Sequence, residues 1–169
     1  MRAATEGSVL GPKEGTTVDL GGLGVVFKVA GDQTRGTVSI VEHPMEPGRL
    51  VPPHVHQAED EVSYVLEGRF GVRIGDIEAE AGPGSYVIKP RGVPHTFWNL
   101  GPERAKLIEV IVPGRFERFF QQLGELVAEM PEEFELRRAE LGAGYKLAFV
   151  PEWVPELKQR FGLKLLGEQ

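Results

Sequence analysis

His54 and His56 stand one residue apart in the segment Pro52-Pro53-His54-Val55-His56. A strand sends positions i and i+2 to the same face, so both imidazoles enter one space. The prolines ahead of them favour the extended backbone this needs. A turn follows at Gln57-Ala58-Glu59-Asp60, and Glu61 then opens a β-type run. A carboxylate placed there, on a neighbouring strand, can face the same cavity. His95 comes later, after the turn Pro90-Arg91-Gly92-Val93-Pro94. Three neutral imidazoles and one carboxylate make a borderline-soft N3O donor set. Such a set binds one divalent transition metal (Mn, Fe, Co, Ni, Cu or Zn) and leaves one or two positions for water or substrate. The fourth histidine, His43, shares none of this spacing and reads as a surface or edge residue.

Elements that could position these groups are short and numerous. From Thr16 to Leu100, β-type runs alternate with turn signals. Val25–Val29 closes at Gly31-Asp32, and Thr37–Glu42 closes at Pro44 and Pro47-Gly48. Val62–Leu66 ends at Glu67-Gly68. Phe70–Ile74 alternates with period two and ends at Gly75-Asp76, a hairpin signal. Tyr86–Ile88 lies between Pro83-Gly84 and Pro90, and Lys106–Val112 stops at Pro113-Gly114. Many short strands at this spacing predict an antiparallel sandwich or barrel. No internal repeat is visible, so one barrel is expected.

After Pro113-Gly114 the period changes. Phe116, Phe119, Phe120, Leu123, Leu126 and Val127 recur at three- and four-residue spacing, the apolar face of a helix. Pro131 breaks it. A second helix from Glu132 to about Leu141 would end at Gly142 and Gly144. The aromatic stripe reads first as core or dimer contact, with a lid over the pocket as the alternative. The chain thus divides into an N-terminal arm (1–15), a β-barrel (16–113) and a C-terminal helical appendage (114–169).

Composition narrows the classes further. The 169 residues include 22 glycines and 13 prolines, the usage of a turn-rich fold. The formal net charge is −6 and no Lys/Arg cluster stands out. An acidic surface repels phosphate backbones and anionic membranes, so neither nucleic acid nor membrane is expected as a partner. With no cysteine, disulfides, thiolate nucleophiles and Cys-based zinc sites are excluded. No apolar run has the length of a signal peptide or a membrane span, and the cytoplasm is the expected location.

The spacing of the donor residues resembles the cupin family. The first motif of that family, G-x5-H-x-H-x3–4-E-x6-G, is met by Gly48, His54, His56, Glu61 and Gly68. The second, G-x5-P-x-G-x2-H-x3-N, is met by Gly84, Pro90, Gly92, His95 and Asn99. A three-residue spacing in the first motif would select Asp60 as the acid. The four-residue spacing selects Glu61, which has the family's residue type and keeps the following x6-G. The resemblance implies an all-β fold, a double-stranded β-helix or jelly-roll barrel, here with a small α-helical C-terminal appendage. It also implies His54, His56, Glu61 and His95 as metal ligands. Asn99 reads as a turn hydrogen-bonder.

Alternation from these ligands predicts which side chains share the cavity: Ser63 and Val65 with Glu61, Phe97 with His95, then Phe70, Val72 and Tyr86 or Val87. That pocket is mostly apolar and suits a small aromatic or hydrophobic molecule better than a sugar phosphate, while Lys89 and Arg91 near the second motif leave a small anion as an alternative. The segment Gly24–Lys28 and the run Gly114–Phe120 look like those of single-domain cupins grouped with quercetin 2,3-dioxygenase. This implies oxygen-dependent cleavage of an enol or flavonol, with Glu61 as both ligand and catalytic base. The alternatives are a non-catalytic metal-containing binding or sensing module, and a non-oxidative metal isomerase or epimerase. Open barrel edges and the N-terminal segment lead us to expect a homodimer.

Overall fold

The computed structural model describes residues 7–168. The first six residues of the expected N-terminal arm lie outside them. The strands are β1 (Thr17–Asp19), β2 (Gly24–Val29), β3 (Ser39–Met45), β4 (Arg49–Leu50), β5 (His54–His56), β6 (Asp60–Glu67), β7 (Phe70–Ile74), β8 (Ile77–Ala81), β9 (Tyr86–Lys89), β10 (His95–Asn99) and β11 (Ala105–Val112). Helices α1 (Glu117–Glu129) and α2 (Phe134–Gly144) follow, then β12 (Leu147–Phe149), α3 (Val154–Phe161) and β13 (Lys164–Leu165).

Two sheets face each other in a jelly roll. The first runs β1-β2-β3-β11-β6-β9, and the second runs β12-β5-β10-β4-β13, with β7 on β10 and β8 on β7. Period-two alternation builds the interior. On β6, Glu61, Ser63 and Val65 turn inward. On β11 it is Ala105, Leu107, Glu109 and Ile111. The inward residues of both sheets, among them Val25, Val41, Met45, Val65, Phe70, Val72 and Leu107, form one apolar core. Burying a side chain of this size stabilises the fold by about 1.5–3 kcal/mol, which offsets the entropy of ordering so many short strands.

β10 is buried along its whole length, on both faces. Its outer face is covered by the C-terminal segment, where Trp98 packs with Leu50, Leu157 and Leu163. Gly71 lies opposite Trp98 in the ladder, and a Cβ there would sit 2.1 Å from the indole. Only glycine leaves that ring its place.

Two expectations need correction. β3 does not close at Pro44 but runs on to Met45, held by its pairing with β11. The C-terminal segment is not purely helical. β12 pairs with β5 and β13 runs parallel to β4, so the tail extends the second sheet. The helices also begin and end a little later than the apolar period suggested, at Glu117–Glu129 and Phe134–Gly144. α1 is tied to the barrel at its start, where Gly31 N–H donates to the Glu117 carboxylate at 2.7 Å.

Candidate metal centre and cavity

β5 and β10 are antiparallel neighbours in the second sheet, with His54 directly opposite His95. Strand alternation brings His56 to the same side as His54, and the imidazole centroids of the three lie 4.5–5.6 Å apart. Glu61 reaches this point from β6 in the facing sheet. One donor atom from each of His54, His56, Glu61 and His95 falls within 4.8 Å of all the others, and the cluster could hold a metal ion.

Hydrogen bonds on the far side of each ring settle the tautomers. His54 Nδ1 is 2.7 Å from the Pro52 carbonyl and His95 Nδ1 is 3.0 Å from the Val93 carbonyl. A carbonyl only accepts, so both Nδ1 atoms carry the proton. His56 Nδ1 faces the Glu59 carboxylate at 3.3 Å. Each Nε2 therefore turns a lone pair inward, the arrangement that orients metal-ligating imidazoles. His56 Nε2 and His95 Nε2 each stand 3.3 Å from an oxygen of Glu61. His95 Nε2 is buried without a hydrogen-bond partner. Acceptors packed against acceptors in this way call for a positive centre among them, and the residues present fit a divalent metal.

Burial depresses the pKa of both His54 and His95, which favours the neutral form that a metal needs. For Glu61, burial alone would raise the pKa. The Lys89 ammonium, 3.1 Å away, outweighs it and holds the carboxyl well below its usual range. Lys89 lies opposite Glu61 in the β6–β9 ladder. It is also bonded to Glu109 at 2.5 Å, which accepts from Ser63 Oγ at 3.1 Å. Burial raises the Glu109 pKa to about 7, against the pull of Lys89. Behind the four donors thus runs a buried chain of Glu61, Lys89, Glu109 and Ser63.

Asp60, the other acid of the first motif, turns away from this centre. It pairs with Arg91 at 2.6 Å in a half-exposed position. Hydrogen bonds from Arg91 hold its pKa at about 2. Asn99 donates to the Met45 and Glu103 carbonyls and accepts from Gly101 N–H, which pins the turn after β10.

The donors open onto a cavity of about 210 Å³. His54, His56, Glu61, Glu109 and His43 line it. Phe116, Phe119, Phe120 and Leu123 of the α1 region line it as well, as does Arg138 of α2. Phe116 sits edge-on to His56, centroids 4.4 Å apart. The aromatic stripe of α1 is thus both core and cavity wall. Arg138 lies over the Phe149 ring, 4.8 Å from its centroid.

Of the side chains expected beside the ligands, Phe97 lines this cavity. Val65, Phe70 and Val72 are packed with Phe97 into the apolar core but do not line the cavity. Ser63 is buried and bonded to Glu109. Tyr86 is a correction: it is 71% exposed, its ring tilted against that of Tyr64 outside the barrel. The β6–β9 register pairs the inward Ser63 with Val87 and the outward Tyr64 with Tyr86. His43 is also corrected, being 2% exposed and inside the cavity instead of on the surface. Lys89 and Glu109 were not anticipated as part of the centre. Their signal was a charged residue at an inward parity on an otherwise apolar strand.

No helix among the described residues is long and apolar enough to cross a membrane. Residues 41–111 match the family model described as the cupin domain. A quercetin 2,3-dioxygenase of Bacillus subtilis (strain 168) is 30% identical over 92 residues, 54% of this chain and 27% of that protein. Protein SchB of Streptomyces halstedii is 31% identical over 64 residues, 38% of this chain and 46% of that protein. The matches span between about a quarter and a half of these relatives. The structure of KdgF from Halomonas sp. superposes with a TM-score of 0.60 at 22% identity, covering 67% of this chain and 99% of that one, a likeness of fold. A jelly roll of two facing sheets, both histidine motifs in place and a cupin-domain match over residues 41–111 together support placing the chain in the cupin superfamily.

Proposed function

We propose that this cupin is a metal-dependent dioxygenase acting on a small aromatic or enolic substrate, with a flavonol as the working model. The observation that carries the reading is the placement of the donor cluster, with His54, His56 and Glu61 on the wall of a cavity that phenyl rings also line. A sugar phosphate would want free cations converging on it. The one ammonium at the inner end, Lys89, is taken up by two carboxylates. The similarity of residues in the barrel to a quercetin 2,3-dioxygenase supports the same choice.

His54, His56, Glu61 and His95 would hold the metal. When bound, it supplies a Lewis-acidic, redox-capable centre for oxygen-dependent cleavage. The imidazoles are fixed in the donor tautomer by the Pro52 and Val93 carbonyls, so they need no rearrangement on loading. Lys89 holds Glu61 Oε2, which leaves Oε1 as the oxygen that takes the substrate's enol proton. Phe116, Phe119 and Phe97 orient a flat substrate and exclude water.

The test is oxygen uptake by protein reconstituted in turn with Mn, Fe, Co, Ni, Cu and Zn, against a panel of flavonols and β-diketones. Metal-dependent uptake coupled to substrate loss is expected. Silence across the panel with the metal demonstrably bound would end this reading. Turnover that persists under strict anaerobiosis would transfer it to non-oxidative chemistry.

A further inference from the structure

His43 lies outside both histidine motifs, on β3, yet it is buried in the same cavity as the donor set. Its Nδ1 is 3.0 Å from the Gly24 carbonyl and must carry the ring proton. Nε2 is then a lone-pair acceptor, and it has no hydrogen-bond partner among the described residues. Two aromatic rings flank the imidazole. Phe120 stands edge-on at 5.4 Å between centroids, and Phe97 is tilted at 6.3 Å. Burial drives its pKa down to about 4, so the ring is a neutral acceptor at ordinary pH. The other polar group on the inner wall beside the donor set, Glu109, lies on β11, the strand that pairs with β3 at His43. It too presents acceptor oxygens, while Lys89 is held between Glu61 and Glu109 and the Arg138 guanidinium, which also lines the cavity, is paired with Glu135. An acceptor-lined wall repels a carboxylate or phosphate and needs a ligand that brings its own donor.

We infer that His43 is a specificity-determining residue, accepting at Nε2 a hydrogen bond from a hydroxyl on the ring system of the ligand, so that the cavity selects hydroxylated aromatic molecules over their deoxy or anionic counterparts. The inference rests on the proposed reading only in that the cavity takes a ring-bearing ligand. It needs no metal and no turnover.

Two variants separate the two nitrogens. His43→Asn keeps a donor near Nδ1 for the Gly24 carbonyl and removes the acceptor from the cavity. His43→Gln keeps an acceptor near the Nε2 position. The probes are 2-naphthol and its near-isostere 2-methylnaphthalene, titrated by calorimetry into the metal-free full chain, with melting temperatures read alongside. The quantity of interest is the ratio of the two affinities. In His43→Asn that ratio should shift against the naphthol by roughly three- to tenfold, one net hydrogen bond. In His43→Gln it should stay within about twofold of wild type. An unchanged ratio in His43→Asn, an equal shift in both variants, or a wild-type chain that binds neither probe would each overturn the inference. Failure of the oxygen-uptake test would leave this result untouched, so the two claims fail separately.

Discussion

Without the ammonium of Lys89, Glu61 and Glu109 would face each other inside the barrel with no fixed cation between them. Truncating one partner of a buried pair leaves its charge uncompensated, at a cost of about 3–5 kcal/mol. Lys89→Met is expected to destabilise the metal-free protein by about that amount, read from urea midpoints. His43 sets a pH dependence of its own. Unfolded, it binds a proton below the ordinary value of 6.5, whereas in the fold burial keeps it neutral down to about 4. Between those values the unfolded chain holds more protons, so stability falls as pH drops through the window. The loss amounts to roughly 3 kcal/mol at its lower end. His43→Phe should remove that share, and the difference between variant and wild type from pH 7 to pH 4.5 measures it. The four ligands were legible because motif spacing fixes them one by one. His43 was missed because a histidine outside the motifs was judged alone. The alternation Val41, His43, Met45 already placed it inward. Lys89 and Glu109 escaped because their significance depends on ladder register, which pairs Glu61 with Lys89 and Ser63 with Glu109.

The alternating run Phe70–Ile74 was readable and is matched end to end by β7, whereas β8 (Ile77–Ala81), just as long and also alternating, went unread. β12 and β13 have three and two residues, too few to carry any period, and they exist because β5 and β4 offer them partners. Parity told which residues of β6 and β7 point inward, yet not how deep along the barrel they sit. All of Val65, Phe70, Val72 and Phe97 belong to the core, and of these Phe97 alone also lines the cavity. The close approach of β7 and β10 gives a prediction at this scale. A methyl at position 71 would meet the Trp98 ring, so Gly71→Ala should destabilise the fold by about 1–3 kcal/mol through overpacking. Denaturant unfolding would measure the loss, and Trp98 displacement would show as a changed fluorescence maximum. An unchanged midpoint would mean that the indole has room to move. The homodimer remains a proposal that an open edge supports. β9 ends the first sheet and presents Tyr86 and Ile88 to solvent, where a second copy could extend it. Sedimentation of a monomer would dispose of it.

The donor set also links the two halves of the molecule. His54, His56 and His95 belong to the second sheet and Glu61 to the first, so an ion held by all four would clamp the sheets together. A ligand that binds only the folded state stabilises it in proportion to its excess over Kd, by about 2.7 kcal/mol at a hundredfold excess. For a chain of this size that corresponds to a rise in melting temperature of roughly 5–10 °C. Adding metal to the chelator-treated protein should produce that rise, and chelator should reverse it. The ligands must be deprotonated to bind, so the gain should shrink as pH drops below about 6.5. His56→Ala should bind at least about tenfold less metal by elemental analysis and lose most of the gain. His43→Ala should retain the metal, because its imidazole is anchored to Gly24 and lies outside the cluster. If both variants kept equal metal and equal thermal gain, the ion would be bound elsewhere. The facing sheets would then owe their contact to the apolar core alone.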